Sequence, residues 1–182
     1  MARLFVALGS IAVGEDLERR IAAVLSGLPA VRPAPAASRH VTLAFIGDVP
    51  ASDLPGIEAA CAAAASGGRA EEYVLDRLGG FPRPEARIVA LTGVAPPGLA
   101  RLAADLGERL RAAGLQVDRR PLRLHVTIAR LRDTFRIPSQ AIAPLRAMAE
   151  EIRLYESELL PAGARYHLIS TYALPNGGSP SA

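Results

Sequence analysis

Two short stretches of the chain pair a histidine with a threonine at the same spacing. Residues 40–43 read His-Val-Thr-Leu and residues 125–128 read His-Val-Thr-Ile, and together they contain two of the three histidines. In a β-strand, residues i and i+2 face the same side, so each stretch would present its His and Thr together while its aliphatic residues face a core. Paired about a pseudo-two-fold axis, the two stretches would bring two imidazoles and two hydroxyls together.

These side chains suit acid–base chemistry on a phosphate. A neutral imidazole can take a proton from water, and a charged imidazole can give a proton to a leaving oxygen. Threonine hydroxyls can donate hydrogen bonds to the non-bridging phosphate oxygens. Arg130 lies five residues after His125, so it needs a β-bulge or a strand end to reach the same phosphate. The pattern predicts phosphodiester chemistry without a metal. The residues predicted to carry it are His40, Thr42, His125, Thr127 and Arg130.

The two motifs lie close to half a chain apart, and each follows a helical segment that comes after an earlier strand. This arrangement predicts an internal duplication of a strand–helix–strand unit. Hydrophobic periodicity predicts helices over 15–28, 54–65 and 97–113, a loop over 29–38, and a loop or short helix over 137–147. The predicted strands cover residues 3–8, 40–46, 72–78, 86–94, 122–131, 151–159 and 165–174. Strands with few long helices indicate an α+β or α/β fold.

Composition excludes several function classes. All 21 basic residues are arginine, which excludes a P-loop, Schiff-base chemistry and a ligase that forms a lysyl-nucleotide adduct. The single cysteine excludes an internal disulfide and a cysteine-based zinc knuckle. The net charge is +3 and every basic residue is arginine. Arginine suits bidentate contact with phosphate. The preference for arginine over lysine equally fits the codon usage of a GC-rich genome. The N-terminal segment is typical of a strand rather than a signal peptide. No apolar stretch is long enough to span a membrane. A single cysteine fits a reducing compartment. We therefore expect a cytoplasmic protein.

The chain resembles the 2H phosphoesterase superfamily, which is defined by two His-x-Thr-x motifs, and within it the RNA 2',3'-cyclic phosphodiesterases, historically named 2'-5' RNA ligases. The resemblance covers roughly residues 3–174 in the family's order, through RLFVAL, HVTLAFIGDVP, LGGFPRPEARIVALTGV, RPLRLHVTIARLR and LYESELLPAGARYHLI. It implies a bilobal, duplicated α+β fold in which two antiparallel sheets face a central cleft and helices pack outside. We expect a single bilobal domain over residues 1–175 and a disordered tail over 176–182.

The resemblance also implies a reaction, the hydrolysis of RNA 2',3'-cyclic phosphate ends to 2'-phosphate ends. His125 would deprotonate a water and His40 would protonate the departing 3' oxygen, while Thr42, Thr127 and Arg130 hold the phosphate. The reverse reaction on suitable ends would form a 2'-5' linkage. The resemblance implies neither a metal nor another cofactor. We expect a monomer that binds RNA with a cyclic phosphate end and has no membrane association and no obligate protein partner.

The chain departs from the family pattern in the loop before its first motif. Family members often carry an aromatic residue in that loop and an aliphatic residue before the histidine, whereas VRPAPAASRH has no aromatic residue and places Arg39 before His40. Phe5 and Tyr166 remain as candidates to stack on a base, although Phe5 lies in a core pattern. His167 has no threonine two residues on, so we expect it to lie outside the site.

Three other hypotheses remain open from the sequence. The first keeps the chemistry but replaces RNA by a small cyclic phosphate, such as a cyclic nucleotide or an ADP-ribose cyclic phosphate. The second is a non-catalytic RNA-binding module that uses the same cleft. The third is a zinc hydrolase that uses all three histidines, although the chain lacks His-x-x-His and HExxH spacing.

Overall fold

A computed structural model of the chain describes residues 1–160 and 163–176. In these residues nine β-strands form two antiparallel sheets, and there are three α-helices. The helices are α1 (Glu15–Ser26), α2 (Leu54–Gly67) and α3 (Pro97–Ala112). The strands are β1 (Ala2–Leu8), β2 (Val31–Pro33), β3 (Thr42–Val49), β4 (Glu71–Phe81), β5 (Glu85–Thr92), β6 (His125–Arg136), β7 (Gln140–Ala149), β8 (Glu151–Leu160) and β9 (Gly163–Ala173). The fold is α+β, as expected.

The two sheets repeat one arrangement of strands. The first sheet has the order β3-β1-β8-β9, and the second has the order β2-β6-β5-β4-β7. Apart from the short edge strand β2, the second sheet begins with β6, which carries a whole His-x-Thr motif, and the first sheet begins with β3, whose first residue is the threonine of the other motif. Each of these two strands pairs with the strand that opens its unit, so β1–α1–β3 in the first half corresponds to β5–α3–β6 in the second. The predicted duplication of a strand–helix–strand unit is therefore present.

Hydrophobic burial explains why the central strands hold their positions. Leu4 to Leu8 in β1 are all buried, as expected for a central strand that is covered on both faces. Helix α2 packs against α3 and against β8 and β9. Arg20 of α1 donates a hydrogen bond to the carbonyl of Ala141 in β7, at 3.1 Å. One continuous hydrophobic core runs through both sheets, so the two halves present their motifs from a shared rigid base.

Two expectations for the chain outside the main elements were wrong. Residues 137–147 were expected to form a loop or a short helix, yet β7 occupies most of that range and pairs with β4. β7 is an edge strand, a position that tolerates Pro144 and needs less apolar alternation. The expected loop 29–38 contains β2, because Val31 and Pro33 pair with Leu131 and Ala129 of β6. Both strands depend on distant partners rather than on a local pattern.

Several predicted boundaries also shift. The strand expected over 122–131 begins at His125 and continues to Arg136, and the strand expected over 40–46 begins at Thr42. The tail that was predicted to be disordered falls, over residues 177–182, outside the described residues. Among the helices of residues 1–160 and 163–176, none combines the length and apolarity required to cross a membrane.

Candidate active site

A single antiparallel bridge between Val41 and Val126 joins the two halves at their motifs. Both valines are fully buried. Each follows a histidine and precedes a threonine. Because alternate residues face opposite sides, burial of the two valines turns the neighbouring His and Thr side chains the other way. The structure thus brings together the two motifs that the sequence singled out.

One cleft of about 520 Å³ collects all five side chains that the sequence selected. Its lining includes His40, Thr42, His125, Thr127 and Arg130. The four His and Thr residues are half-buried, whereas Arg130 is exposed. Side chains from the first sheet and from the second sheet line this cleft together, so it lies between the two halves of the molecule.

A β-bulge brings Arg130 to the same face as Thr127. In the pairing of β5 with β6, Ala90 lies opposite Thr127 and Val89 lies opposite Ala129, which leaves Ile128 as an extra residue. A bulge of one residue reverses the alternation of the strand. Three positions after Thr127, Arg130 therefore returns to the cleft, as the sequence required for this arginine to reach the phosphate.

The first motif contains the matching bulge, and it exposes a residue that sequence reasoning missed. Ala7 lies opposite Thr42 and Val6 lies opposite Ala44, so Leu43 is the extra residue. Three positions after Thr42, Phe45 lines the cleft with 48% of its surface exposed. Alignment of the two motifs as HVTLAF and HVTIAR places Phe45 at the position of Arg130, and this signal was available in the sequence.

Each catalytic candidate histidine is held by the backbone two residues earlier. His125 Nδ1 lies 2.8 Å from the carbonyl oxygen of Arg123, and the His40 ring makes a backbone hydrogen bond to Ser38. A ring N–H that donates to a carbonyl fixes the tautomer and orients the imidazole. In His125 this arrangement leaves Nε2 free to accept a proton.

An aromatic ring stacks on the imidazole of each motif histidine. Phe5 stacks on His40 with ring centroids 5.0 Å apart, and Phe81 stacks on His125 at 3.9 Å. Tyr166 meets the His40 ring edge-on at 5.3 Å. Phe5 is only 3% exposed, so it packs in the core and supports His40 rather than offering a platform for a base. Phe81 is the last residue of β4.

Burial and nearby charges lower the pKa of both histidines in the free protein. Burial, followed by the proximity of His125 and Arg130, lowers the pKa of His40 to about 4, against a raising effect from the Ser38 hydrogen bond. Burial, with the charges of Arg123 and Arg130, also lowers the pKa of His125. A bound anion would act in the opposite direction, because negative charge nearby favours the protonated imidazole.

The third histidine does not join the other two. His167 is exposed on β9, and its Nε2 lies 3.1 Å from Glu158 Oε2. It is not part of the cleft lining, and the described residues contain no group of three or more His, Cys, Asp or Glu side chains arranged to hold a metal ion. The three-histidine site of the zinc hypothesis is therefore not formed.

Arg39, the residue that departs from the family pattern, points away from the cleft. Its side chain is 8% exposed and forms an ion pair with Glu18 of α1, in which Nη2 lies 3.3 Å from Oε2. The Arg39 carbonyl accepts a hydrogen bond from the Ile11 N–H at 3.0 Å. These contacts fasten the segment before His40 to α1 and to the loop that follows β1.

Comparison with known proteins yields one matching family. The sequence model of the 2'-5' RNA ligase superfamily matches residues 15–159. A protein of Geobacillus stearothermophilus named RNA 2',3'-cyclic phosphodiesterase is 37% identical over 92 residues. That match covers 50% of this chain and 29% of the relative's length.

Solved structures share the fold over nearly the whole chain. TT0787 of Thermus thermophilus superposes with a TM-score of 0.79 at 24% identity, over 97% of this chain and 100% of that one, and this likeness concerns the fold alone. LigT of E. coli, solved in complex with 3'-AMP, has a TM-score of 0.71 at 28% identity, over 95% of this chain and 98% of that one. Both comparisons agree with the two-sheet architecture.

Proposed function

Because the chain belongs to the 2'-5' RNA ligase superfamily, we propose that it hydrolyses the 2',3'-cyclic phosphate end of an RNA strand to a 2'-phosphate. The observation that carries this proposal is the opposition of His40 and His125 in one cleft, with Thr42, Thr127 and Arg130 beside them. Two imidazoles and three hydrogen-bond donors are what a phosphodiester needs for general acid–base hydrolysis. The name of the Geobacillus stearothermophilus relative supports the choice of substrate.

The proposed steps use only side chains of this chain. His125 Nε2 removes a proton from a water molecule, and the water oxygen bonds to phosphorus. The bond between phosphorus and the 3' oxygen breaks, and His40 gives its proton to that oxygen. The products are a 3'-hydroxyl and a 2'-phosphate, and the two imidazoles have exchanged protonation states, which solvent restores. We assign the acid and base roles from the family resemblance, since both rings have equivalent backbone supports.

Binding of the substrate favours the protonated form of His40 that the reaction needs. In the free protein the pKa of His40 is about 4 because its ring is buried and lies near His125 and Arg130. An anionic phosphate between the two rings neutralises the effect of Arg130 and raises the pKa of both imidazoles. His40 then binds the proton that it later donates.

The hydroxyls of Thr42 and Thr127 and the Arg130 guanidinium are proposed to bind the non-bridging oxygens. Charge-assisted hydrogen bonds of this kind stabilise the extra negative charge that develops on these oxygens in the transition state. Because one chain supplies every group, we expect a monomer that needs no cofactor. If a 5'-hydroxyl took the place of water, the same groups would bond its oxygen to phosphorus, break the bond between phosphorus and the 3' oxygen, and form a 2'-5' linkage.

Phe45 and Tyr166 are proposed to contact the base of the terminal nucleotide. Both line the cleft, and Phe45 is 48% exposed. The Arg3 guanidinium carbon lies 4.9 Å from the centroid of the Phe45 ring. Exposed aromatic rings beside a phosphate site are typical platforms for unpaired bases. Tyr166 thus stays a stacking candidate, and Phe45 joins it.

A short RNA that ends in a 2',3'-cyclic phosphate, incubated in excess EDTA, tests the proposal. We expect wild-type protein to release only 2'-phosphate ends, His40→Ala to lose this activity, and His167→Ala to keep it as a matched control. A 3'-phosphate product, or equal loss in the His167 variant, would contradict the mechanism. Turnover of small cyclic phosphates but not of RNA would favour the small-substrate hypothesis, and binding of RNA without turnover would favour the binding module.

A further inference from the structure

Two arginines oppose each other across the edge of the second sheet. Arg32 in β2 is the direct antiparallel partner of Arg130 in β6. Directly opposed residues in such a pair have Cβ atoms about 4.5–5.5 Å apart, and like charges there destabilise the sheet. Both side chains are exposed and both line the catalytic cleft. A negative charge close to both guanidinium groups would offset the repulsion between Arg32 and Arg130.

No carboxylate of the described residues supplies that charge. Ten ion pairs are present in the described part of the chain, and neither Arg32 nor Arg130 takes part in any of them. Arg136, six residues farther along β6, is instead paired with Glu85. The opposed arginines are therefore available to an external anion.

A second cleft of about 460 Å³ continues from the catalytic cleft past these arginines. The two clefts share Arg32, Arg130 and Tyr166, and the second adds Arg165. Arg165 lies 4.0 Å from Glu158, but no Asp or Glu of the described residues lines either cleft. The catalytic cleft thus opens into a basic groove rather than ending at the nucleotide site.

The second cleft adjoins the reacting centre at Arg130 and extends beyond it. Its lining contains neither histidine of the motifs and neither motif threonine. Although Arg32 lines both clefts, an anion bound in the second cleft lies beyond the motif side chains and is a different phosphate from the one on which the histidines act. An RNA strand carries one further phosphodiester for each additional nucleotide, whereas a mononucleoside cyclic phosphate carries no second phosphate.

We propose that Arg32 binds the phosphodiester that precedes the terminal nucleotide, and that the protein consequently prefers an RNA strand to a mononucleoside cyclic phosphate. Arg130 lies between the two phosphates, and its charge is balanced by the terminal one. This inference rests on the proposed function for the reaction and adds a residue that determines substrate length. The sequence pattern did not indicate a role for Arg32, because β2 lies in a segment that was expected to be a loop.

The test compares two substrates, a dinucleotide that ends in a 2',3'-cyclic phosphate and the corresponding mononucleoside 2',3'-cyclic phosphate. We expect the ratio of their kcat/KM values, dinucleotide over mononucleotide, to fall about tenfold in Arg32→Ala, as the loss of one charge-assisted hydrogen bond predicts. Arg32→Lys should recover part of the ratio, because lysine keeps the charge but loses the bidentate contact. Arg101→Ala, an exposed arginine of α3, is the control and should leave the ratio unchanged. An unchanged ratio in Arg32→Ala, or an equal loss on both substrates, would overturn the proposal.

A binding measurement separates failure of this inference from failure of the proposed reaction. The probe is a short RNA that already ends in a 2'-phosphate, and its Kd is measured over a range of salt concentrations. Removal of one phosphate contact to a single strand should reduce the slope of log K against log salt by about 0.7. We expect this reduction in Arg32→Ala and not in Arg101→Ala. If wild-type protein turned over neither substrate, the hydrolase proposal would fail, and identical slopes would independently refute the role of Arg32.

Discussion

Val41 and Val126 are partners in an isolated antiparallel bridge, and each stands between the histidine and the threonine of one motif. The two motifs therefore meet at this bridge, beside the pairing of β2 with β6 and the hydrogen bond from the Ala34 N–H to the Ile128 carbonyl. Both valines are fully buried, so their packing fixes the orientation of the four polar side chains that face the cleft. This bridge, together with the backbone hydrogen bonds of the two rings, orients the proposed acid and base.

The acid and base roles can be separated with a substrate that needs no acid. Bis(p-nitrophenyl) phosphate releases an anion that is stable near neutral pH, so its hydrolysis needs a general base but little help from a general acid. We expect His40→Ala to retain a much larger fraction of wild-type kcat on this substrate than on a 2',3'-cyclic phosphate end. His125→Ala should be impaired on both substrates. The reverse pattern would exchange the two roles.

The pH profiles should differ between free and bound protein. Burial lowers the pKa of His40 to about 4 and also lowers the pKa of His125. The state in which one imidazole is protonated and the other is neutral is thus most populated below the ordinary histidine pKa of 6.5. The plot of kcat/KM against pH should therefore be bell-shaped with an acidic optimum. The bound phosphate raises both pKa values, so the optimum of kcat should lie at higher pH. Superimposable profiles, or an optimum of kcat/KM above pH 7, would contradict this account.

The two threonine hydroxyls should contribute to turnover without contributing to the fold. Thr42→Val and Thr127→Val keep the shape of the side chain and the β-propensity, but remove a donor to the phosphate. We expect kcat/KM to fall about tenfold to a hundredfold in each, as for loss of a hydrogen bond to a charged group. Thr134→Val is a control in the same strand as Thr127, since Thr134 lies in β6 but outside the lining of the catalytic cleft. Wild-type rates in both motif variants would remove the threonines from the mechanism.

In the ion pair of Arg39 with Glu18, the arginine is buried and the glutamate side chain is 39% exposed, so removal of the two partners should have unequal effects. Arg39 is 7% exposed, and its Nε has no hydrogen-bond partner among the described residues. Glu18→Ala leaves the guanidinium buried without its carboxylate, and because Glu18 is partly solvated this should reduce the free energy of unfolding by about 2 kcal/mol. Arg39→Leu removes the buried charge and should change the stability by less than about 1 kcal/mol. Urea unfolding measures both, with the exposed Glu15→Ala of the same helix turn as control. Equal losses in the two variants would argue against this explanation.

Stability should fall in mild acid because of His40. In the unfolded chain this ring protonates near pH 6.5, but burial and the charges nearby lower its folded-state pKa to about 4. Between these values the unfolded chain binds the extra proton, so the stabilising contribution is complete above about pH 6.5 and is lost as the pH falls toward 4. We expect a loss of up to about 3 kcal/mol in the free energy of unfolding across this range. His40→Gln should flatten the pH dependence, and an unchanged slope would show that other groups cause it.

Local patterns in the sequence were sufficient for the central elements and for the motif residues. The alternation in HVTL and HVTI is a property of neighbouring residues, and it identified the polar face and the buried face of both segments before any contact was known. The strand–helix–strand repeat likewise follows from hydrophobic periodicity, which is local. Even the condition on Arg130, a bulge after Thr127, follows from counting residues along one strand.

Tertiary pairing decided the rest. β2 and β7 are edge strands without a strong pattern of their own, and they form because β6 and β4 offer them partners far away in the chain. The register of β2 sets Arg32 against Arg130, and the position of α1 beside the segment before His40 pairs Glu18 with Arg39. The sequence by itself determined which side chains perform the proposed chemistry, because their spacing is local. Only the tertiary structure decided what surrounds them, because cross-strand register and burial depend on contacts between distant residues.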